Sequence, residues 1–371
     1  MSGHLSNSER WFSNEISMII IEYLGDDWAS LRNTALVCKD FAALSQALIF
    51  QTLQLGTKGR LQSPPAPKKF AALLHEPQTA FLGKFVRRLD LDPYDLGRTQ
   101  FPTTEFIFRN LPSLTEVRIE NGRVEHFQAI GMHLGAQLRR LQITTVLLRL
   151  TVQVRMFQKM LDSLSVLKTL ILNFWSVEDF SDDTTPLVLP SSLNTAVIIA
   201  PMDEYSLRAI SLGLQICYPP TLHTIFVDFR KDRRGQSVLW EAIRLDTMII
   251  LDLGVGSTGE ADKENALIRR IITATQGLRA TKLTLRCTWS TSLVTYLAYF
   301  IANLPYPVHD VCVDFSNELP RLDSFGDWIK LDCALMSRRD LGMLDRVYFG
   351  RSATHIQPLL PRSDGAGILA I

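Results

Sequence analysis

The chain has 371 residues, of which 46% are hydrophobic and 21% charged, a balance typical of a globular protein with ample core material. Its 39 Lys and Arg nearly equal its 38 Asp and Glu. Nucleic-acid binders usually carry a clear basic excess, so we expect no nucleic-acid partner. Five scattered cysteines without a C-x-x-C pair argue against a disulfide framework and a zinc site. They favour a reducing, intracellular compartment, cytoplasmic or nuclear.

Residues 1–10 form a polar N-terminal tail without an apolar h-region, so we expect no secretory signal. The most apolar stretch, Leu293–Leu304, is interrupted by Thr295 and Asn303. A membrane span needs roughly twenty apolar residues. We therefore expect a buried helix there and no membrane association.

Residues 11–50 have the pattern of a small helical module. One apolar stripe recurs at steps of three and four, which indicates a first helix; its members are Ile16, Ile19, Ile20, Tyr23 and Leu24. Gly25-Asp26-Asp27 then ends this helix, and two shorter helical patterns follow. Three helices in some forty residues bury little surface, so we expect the module to depend on further contacts.

A connector, residues 51–85, precedes a repeat that extends over residues 86–352. The unit reads apolar-x-x-apolar-x-apolar, and successive copies begin 24 to 36 residues apart, at Val86, Leu114, Leu138, Leu167, Leu193 and Leu222, with weaker copies at Met248, Ala280, Val308 and Leu344. Helical patterns lie between them, at Glu125–Leu134, Arg155–Leu164, Asp203–Ile216, Ser237–Leu245, Ala261–Ala274 and Thr291–Ala302. One strand and one helix per unit is typical of leucine-rich repeats. Residues 353–371 remain as a C-terminal tail.

The repeat departs from the leucine-rich pattern at one position. That family places Asn or Cys eight residues after the first apolar position, where this chain has, for example, Tyr94, Gly122, Val146 and Trp175; none of the ten copies has Asn or Cys. The predicted fold class is therefore α/β, a three-helix module followed by an irregular leucine-rich-repeat-like solenoid. A conventional α/β domain is the alternative.

The N-terminal module resembles the F-box family. That family opens with Leu-Pro-x-Glu and an apolar helix, and continues through Asp and Leu to a Val-Cys-(Lys/Arg)-x-(Trp/Phe) signature. This chain has Phe12-Ser13-Asn14-Glu15-Ile16, then Asp27 and Leu31, and then Leu36-Val37-Cys38-Lys39-Asp40-Phe41. Ser13 stands where the family commonly has Pro, and so lacks the rigid turn that Pro would set.

The resemblance implies a specific partner and a non-enzymatic role. F-box modules bind the Skp-type adaptor of a Skp–cullin–F-box ubiquitin ligase, and the repeats that follow select the protein to be ubiquitinated. The adaptor-binding residues it implies are Phe12, Ile16, Ile20, Leu24, Leu36, Val37, Phe41 and Leu44. We interpret Cys38 as a small buried hydrophobic residue. The alternative is that the stripe packs only on the connector and the first repeat.

An enzymatic interpretation has one motif in its favour. Gly254–Gly259 reads G-x-G-x-x-G between an apolar strand and a helical pattern, as in a dinucleotide site. No Asp or Glu occurs from Ala266 through His309, so the acid that would bind the ribose is missing. We therefore expect no cofactor and no enzyme activity. A repeat scaffold that acts outside any ligase is a further alternative.

The outward strand positions give a candidate site for the target protein. The early repeats present mixed charges there, and the later ones return to charge with Asp252, Lys282 and Arg286. Three repeats between them present apolar central residues with polar neighbours, namely Ile171, Val197 and Phe226, with Asn173, Thr224 and Asp228 beside them. An apolar patch with a polar rim is typical of a protein-binding surface. Alternatively, the protein itself covers this face, for instance with its C-terminal tail.

Overall fold

A computed structural model describes most of the chain, and it divides into two compact units, residues 1–119 and 120–371. The described ranges are 14–24, 27–55, 67–91, 101–120, 122–148, 151–177, 185–199, 204–228, 239, 242–244, 246–252, 280–287, 293–304, 306–315, 325–350 and 353–370. Gly254–Gly259, Phe12 and Ser13 lie outside these ranges, as does the predicted helix Ala261–Ala274.

The first unit begins with three helices, as the sequence predicts: α1 (Asn14–Tyr23), α2 (Trp28–Thr34) and α3 (Lys39–Ile49). Parallel strands β1 (Thr52–Leu55), β2 (Arg88–Leu91) and β3 (Glu116–Glu120) follow, with β1 paired to β2 and β2 to β3. Helices α4 (Pro67–His75) and α5 (Phe101–Arg109) lie in the connections between these strands.

The second unit is a parallel sheet whose strand order is the chain order. Its strands are β4 (Arg140–Leu148), β5 (Thr169–Val177), β6 (Thr195–Ile199), β7 (Thr224–Asp228), β8 (Met248–Asp252), β9 (Lys282–Cys287), β10 (Asp310–Phe315), β11 (Arg346–Tyr348) and β12 (Leu369–Ala370). Its helices are α6 (Val124–Leu134), α7 (Thr151–Ser163), α8 (Glu204–Ile216), α9 (Leu293–Ala302), α10 (Phe325–Asp340), α11 (Ala353–Ile356) and α12 (Pro361–Gly365). A strand that pairs only with its sequence neighbours defines a repeat architecture.

All ten predicted strands are present, and the structure adds two. β1 lies in the segment expected to be a connector, and β12 lies in the expected C-terminal tail. Both segments carry the apolar-x-x-apolar-x-apolar pattern, as Phe50-Gln-Thr-Leu53-Gln-Leu55 and Ala366-Gly-Ile-Leu369-Ala-Ile371. The array therefore begins one unit earlier and ends one unit later than the predicted bounds. Helix α9 buries Leu293, Leu297 and Ile301, which confirms the core helix predicted there. No helix among the described residues is long and apolar enough to cross a bilayer.

A regular backbone contact sets the register of the repeats. In several repeats one carbonyl just before a strand accepts two N–H groups from the start of the next strand: the Arg139 carbonyl accepts from Lys168 and Thr169, and the Lys168 carbonyl from Asn194 and Thr195. In-register pairing then stacks equivalent positions in rows. The inward row is apolar throughout, as the core of such a sheet requires: Leu170, Ala196, Ile225, Ile249, Leu283, Val311 and Val347.

This register corrects the predicted start of the seventh repeat. Thr224 pairs with Met248, and the Met248 N–H donates to the His223 carbonyl. The unit therefore begins at Asp246 and not at Met248. The prediction slipped by two residues because Asp246 occupies the position that is apolar or small in the other repeats.

Two strands continue through the position where leucine-rich repeats place their Asn or Cys. Val146 and Trp175 occupy this position and pair in register within the nine-residue strands β4 and β5. The chain therefore continues its ladder of backbone hydrogen bonds at the point where the Asn or Cys side chain would otherwise satisfy a turn.

The connection between β5 and β6 includes an extended segment, residues 185–190, fixed by its neighbours. The Gln158 side chain of α7 binds the Val188 backbone twice, by accepting from its N–H at 2.9 Å and donating to its carbonyl at 3.0 Å. Gly213 of α8 lies so close to Leu187 that a Cβ there would overlap the Leu187 carbonyl. Only glycine permits this approach without a shift of the backbone.

The C-terminal residues extend the sheet. β12 pairs with β11, and α12 packs on α10. The buried Asp332 carboxylate of α10 accepts from the Arg362 N–H at 3.0 Å, the Ser363 N–H at 2.9 Å and the Ser363 hydroxyl at 2.5 Å. This carboxylate is therefore the polar anchor for the last strand.

We predict that Asp332→Ala loosens the C-terminal end of the second unit. Three donors lose a charged acceptor, and two of them belong to buried Ser363, so we expect a loss of local stability of at least ~2 kcal/mol. Hydrogen exchange of residues 361–370 measures this directly. Asp340→Ala, at an exposed position of the same helix, is the control. Unchanged exchange in Asp332→Ala would contradict the anchoring role.

Candidate functional site

Helix α1 buries one narrow face and exposes most of its large apolar residues. Ser17 and Ile21, one helical turn apart, are buried, and so is Ser45 of α3, on which α1 packs. Small side chains such as these serines allow two helices to approach closely. The apolar stripe that the sequence displays therefore lies on the opposite face.

That outward face concentrates exposed apolar surface in one short stretch of chain. Sixteen large hydrophobic side chains are exposed in the described part of the molecule, and half of them belong to the three-helix module: Ile16, Met18, Ile19, Ile20, Tyr23, Trp28, Leu36 and Val37. Single exposed apolar residues are ordinary, but eight within the described residues 14–49 are not. Such a surface is typical of a protein-binding site.

The turn between α2 and α3 presents the most exposed pair. The N–H groups of Leu36 and Val37 donate to the carbonyls of Asn33 and Thr34, which fixes the turn with both side chains outward, 85% and 68% exposed. Asp27 sets the start of α2, because its carboxylate accepts from the N–H groups of Ala29 and Ser30 and from the Ser30 hydroxyl. The hydroxyl bond is the main reason that the pKa of Asp27 is lowered. The Asp of the F-box resemblance is thus a helix cap in this chain.

The predicted adaptor-binding residues divide into two groups. Ile16, Ile20, Leu36 and Val37 are exposed, whereas Leu24, Phe41 and Leu44 are partly buried at the edge of the module. Met18, Tyr23 and Trp28 are exposed beside them and were not among the predicted residues. The interpretation of Cys38 as a buried residue was wrong, because Cys38 directly follows the outward turn and is exposed.

A second surface lies on the outward face of the sheet in the second unit. Strand pairing places Ile171, Val197, Phe226 and Ile250 side by side in one row of β5–β8. Asn173 borders this row and is partly exposed. The predicted residues of three successive repeats are therefore brought together, and the structure adds Ile250 as a fourth. Ile250 was missed because the two-residue slip in that repeat had put Asp252 at the central position.

Two predicted target-binding residues are too buried to offer contact. Ile171 and Thr224 are each 7% exposed, because neighbours on both adjacent strands pack against them. Val197, Phe226 and Ile250 keep partial exposure. Residue Asp228 ends β7.

The alternative interpretation, in which the C-terminal tail covers this row, finds no support in the described contacts of the tail. Its described contacts are with β11 and α10, at the far end of the sheet from β5–β8. The tail therefore prolongs the array along its axis.

The titratable groups of the described residues include one buried histidine. No three His, Cys, Asp or Glu side chains there come together as a metal site would require. His126 is buried, and desolvation lowers its pKa to about 4. Its Nδ1 accepts from the Arg123 N–H at 3.3 Å at the start of α6, which is a helix-capping role.

Comparison with known proteins adds one structural likeness. The chain matches no protein-family profile, and no curated protein is significantly similar to it. Among solved structures, it is similar to a leucine-rich repeat-containing protein from Legionella pneumophila, with 13% sequence identity and a TM-score of 0.41 over 84% of this chain and 86% of that one. The strand order itself establishes the architecture of the second unit. It is a leucine-rich-repeat-like parallel sheet.

We predict that the same substitution destabilises α1 at Ile21 but not at Ile19, two residues away on the same helix. Ile21→Gln should remove protection from α1 amides in hydrogen exchange, because it buries a polar group and forfeits roughly 1.5–3 kcal/mol of apolar burial. Ile19→Gln should leave that protection unchanged, because this side chain is 64% exposed. Equal destabilisation by both variants would show that the outward face is core.

Proposed function

We propose that this chain is the substrate-recognition subunit of a Skp–cullin–F-box ubiquitin ligase. The N-terminal module would dock the Skp-type adaptor, and through it a cullin, while the repeat array would bind a target protein. The observation that carries the proposal is a coincidence of two independent features. Four of the residues that the F-box resemblance implies as adaptor contacts, Ile16, Ile20, Leu36 and Val37, belong to the exposed apolar surface.

Exposed signature residues argue for docking more strongly than for internal packing. Residues that serve only the fold of the module would be buried in the isolated chain, as Ile21 is and as Leu31 of the resemblance is. Leu36 and Val37 instead project from a turn whose backbone is fixed by hydrogen bonds, so their position is set before a partner arrives. A preorganised apolar surface loses little conformational entropy on binding.

The chain would contribute proximity and no chemistry of its own. A substrate receptor raises the effective concentration of its target near the ligase's catalytic subunits. Such a role needs two separate binding surfaces and an intracellular location. The exposed apolar face of α1–α3 and the outward face of the sheet are the two candidates, one in each unit.

We predict that Val37→Asp and Phe41→Ala each weaken binding of the Skp-type adaptor at least about thirtyfold, equivalent to ~2 kcal/mol for a buried anchor. Titration of the adaptor against the purified full-length chain, by calorimetry or anisotropy, measures the loss. The structure provides a matched control in Ile329→Asp, which places the same charge at an exposed apolar position of α10.

The outcome separates a ligase subunit from a repeat scaffold that acts alone. Wild-type and Ile329→Asp chains should bind the adaptor equally, and the two module variants should keep their circular dichroism spectra. If the folded wild-type chain binds no adaptor, the chain is a scaffold outside any ligase of this type. Normal binding by both module variants would place the docking surface elsewhere.

A further inference from the structure

Acidic residues collect in one row on the outward face of the second unit. The strand register aligns Asp228 with Asp252, Asp252 with Arg286, and Arg286 with Asp314, so three carboxylates share this row with one cation. The same four strands hold two further outward charges, which are aligned with each other and cancel: Lys282 and Asp310. The outward face of β7–β10 therefore carries two carboxylates in excess, in a chain whose overall charge is +1.

Arg286 balances one of the three carboxylates in the row. Its Nε lies 3.9 Å from the Asp314 Oδ2, and both side chains are about half exposed. The guanidinium also lies over the Phe226 ring, at 5.5 Å from its centre. Asp228 and Asp252 remain as aligned residues of like charge on adjacent strands, an arrangement that destabilises a sheet. A cation supplied by a partner would relieve this repulsion.

A hydrogen-bond acceptor lies at the same repeat position two strands before Asp228. Asn173 of β5 is aligned with Ile199 of β6. Its side-chain Oδ1 is buried and has no hydrogen-bond partner among the described residues. This row therefore has unmet acceptors at more than one repeat, and Lys and Arg side chains, which only donate, complement them.

An apolar row runs parallel to the acidic one, two residues earlier on each strand. Val197, Phe226 and Ile250 are partly exposed and are aligned on β6–β8. Two residues of a parallel strand correspond to about 6.6 Å, so one segment of a partner can contact both rows. The apolar row offers such a segment area to bury, and the acidic row selects the sign of its charge.

We infer that the outward face of β5–β10 binds a segment of the target protein that carries both apolar side chains and Lys or Arg. Its apolar side chains cover Val197, Phe226 and Ile250, and its cations pair with Asp228 and Asp252. This inference rests on the proposed role of the repeat array in recruiting a target, and it adds the chemical class of the segment that is recognised. The negative charge of the row disfavours acidic segments, nucleic acids and acidic membranes alike.

The test uses two displayed peptide libraries selected against the full-length chain. Both hold peptides of about 12 residues, which span about 18 Å even as helices and so cross β7–β10. Both place Leu, Ile or Phe at every third position, and the other positions are drawn from Lys, Arg, Ser and Gly in one library and from Asp, Glu, Ser and Gly in the other. We expect binders from the basic library, with an affinity that falls as salt is raised.

Variants then assign the contacts. Asp228→Asn combined with Asp252→Asn should weaken the selected basic peptides about tenfold, as expected of two surface charge pairs, and should reduce the salt dependence. Phe226→Ala should weaken them about tenfold or more, as for a hot-spot residue. Arg286→Gln removes the cation of the row and should strengthen them. Asp340→Asn, which removes the same charge at an exposed position of α10, should change affinity less than about twofold.

Thermal unfolding of the free chains separates a binding role from a structural one. The double variant Asp228→Asn, Asp252→Asn should unfold at a temperature no lower than the wild type, because it removes a repulsion within the sheet. Weaker peptide binding together with a clearly lower unfolding temperature would show that these carboxylates serve the fold, and would overturn the inference.

The inference is also overturned by preferential recovery of acidic peptides, by an absence of binders from both libraries, or by basic peptides that bind the double variant as tightly as the wild type. Weaker binding by Arg286→Gln would assign the contact to Arg286 and an acidic partner. Adaptor titration of the same preparations keeps these outcomes distinct from the proposed function. A chain that binds adaptor but no basic peptide retains its ligase role and loses this target class. A chain that binds basic peptides through Asp228 and Asp252 but no adaptor retains the site and loses the ligase role.

Discussion

Helix α1 carries more large apolar side chains than its small module can cover. Six of its ten residues are hydrophobic or aromatic, yet only Ile21 among them is buried, on the face that packs on α3. The remainder stays in water, where each exposed apolar group costs free energy that only a partner can recover. This imbalance between apolar content and available core is the constraint behind the proposed docking face of the first unit.

The second unit buries its apolar residues by repeating one strand-and-helix unit. A single strand and helix bury little surface, but in-register stacking joins each inward residue to its equivalents in the neighbouring repeats. The strands pair in register, helped in several repeats by a carbonyl that accepts two N–H groups of the next strand. A residue's place on the inward or outward face therefore follows from its position in the unit. The same stacking builds the outward row of Val197, Phe226 and Ile250, which no single repeat could form. The inward positions of the strands therefore form the core, and the outward positions of the same strands form the candidate binding surface.

Much of this fold was predictable from the sequence because the repeat unit encodes both period and face. Each of the ten predicted strands was confirmed, since alternation of apolar residues leaves few other ways to bury them. The failures occurred where one residue broke the unit. Asp246 shifted the seventh repeat by two positions, and this alone concealed Ile250. β1 and β12 carry the same unit, starting at Phe50 and Ala366, but the predicted bounds had assigned them to the connector and the C-terminal tail.

The helical module shows a different limit of sequence reasoning. Periodicity located the three helices of the module but did not determine which face of α1 is buried. The buried face, with Ser17 and Ile21, is less apolar than the stripe that the helix exposes. A stripe usually faces the core. The F-box resemblance suggested the contrary, and the exposure of Leu36 and Val37 agrees with that suggestion. The exposure of Cys38 could not be predicted from its residue type, because cysteine is usually buried. In this chain Cys38 directly follows an outward turn.

The central claim is that the apolar face of α1 and the turn between α2 and α3 form a docking surface for a Skp-type adaptor. Hydrogen exchange of the full-length chain, with and without saturating adaptor, tests it most directly. The account predicts that amides of residues 14–49 become strongly protected in the complex, while those of β6–β9 exchange as in the free chain. Protection confined to the sheet strands, with unchanged exchange in residues 14–49, would contradict it.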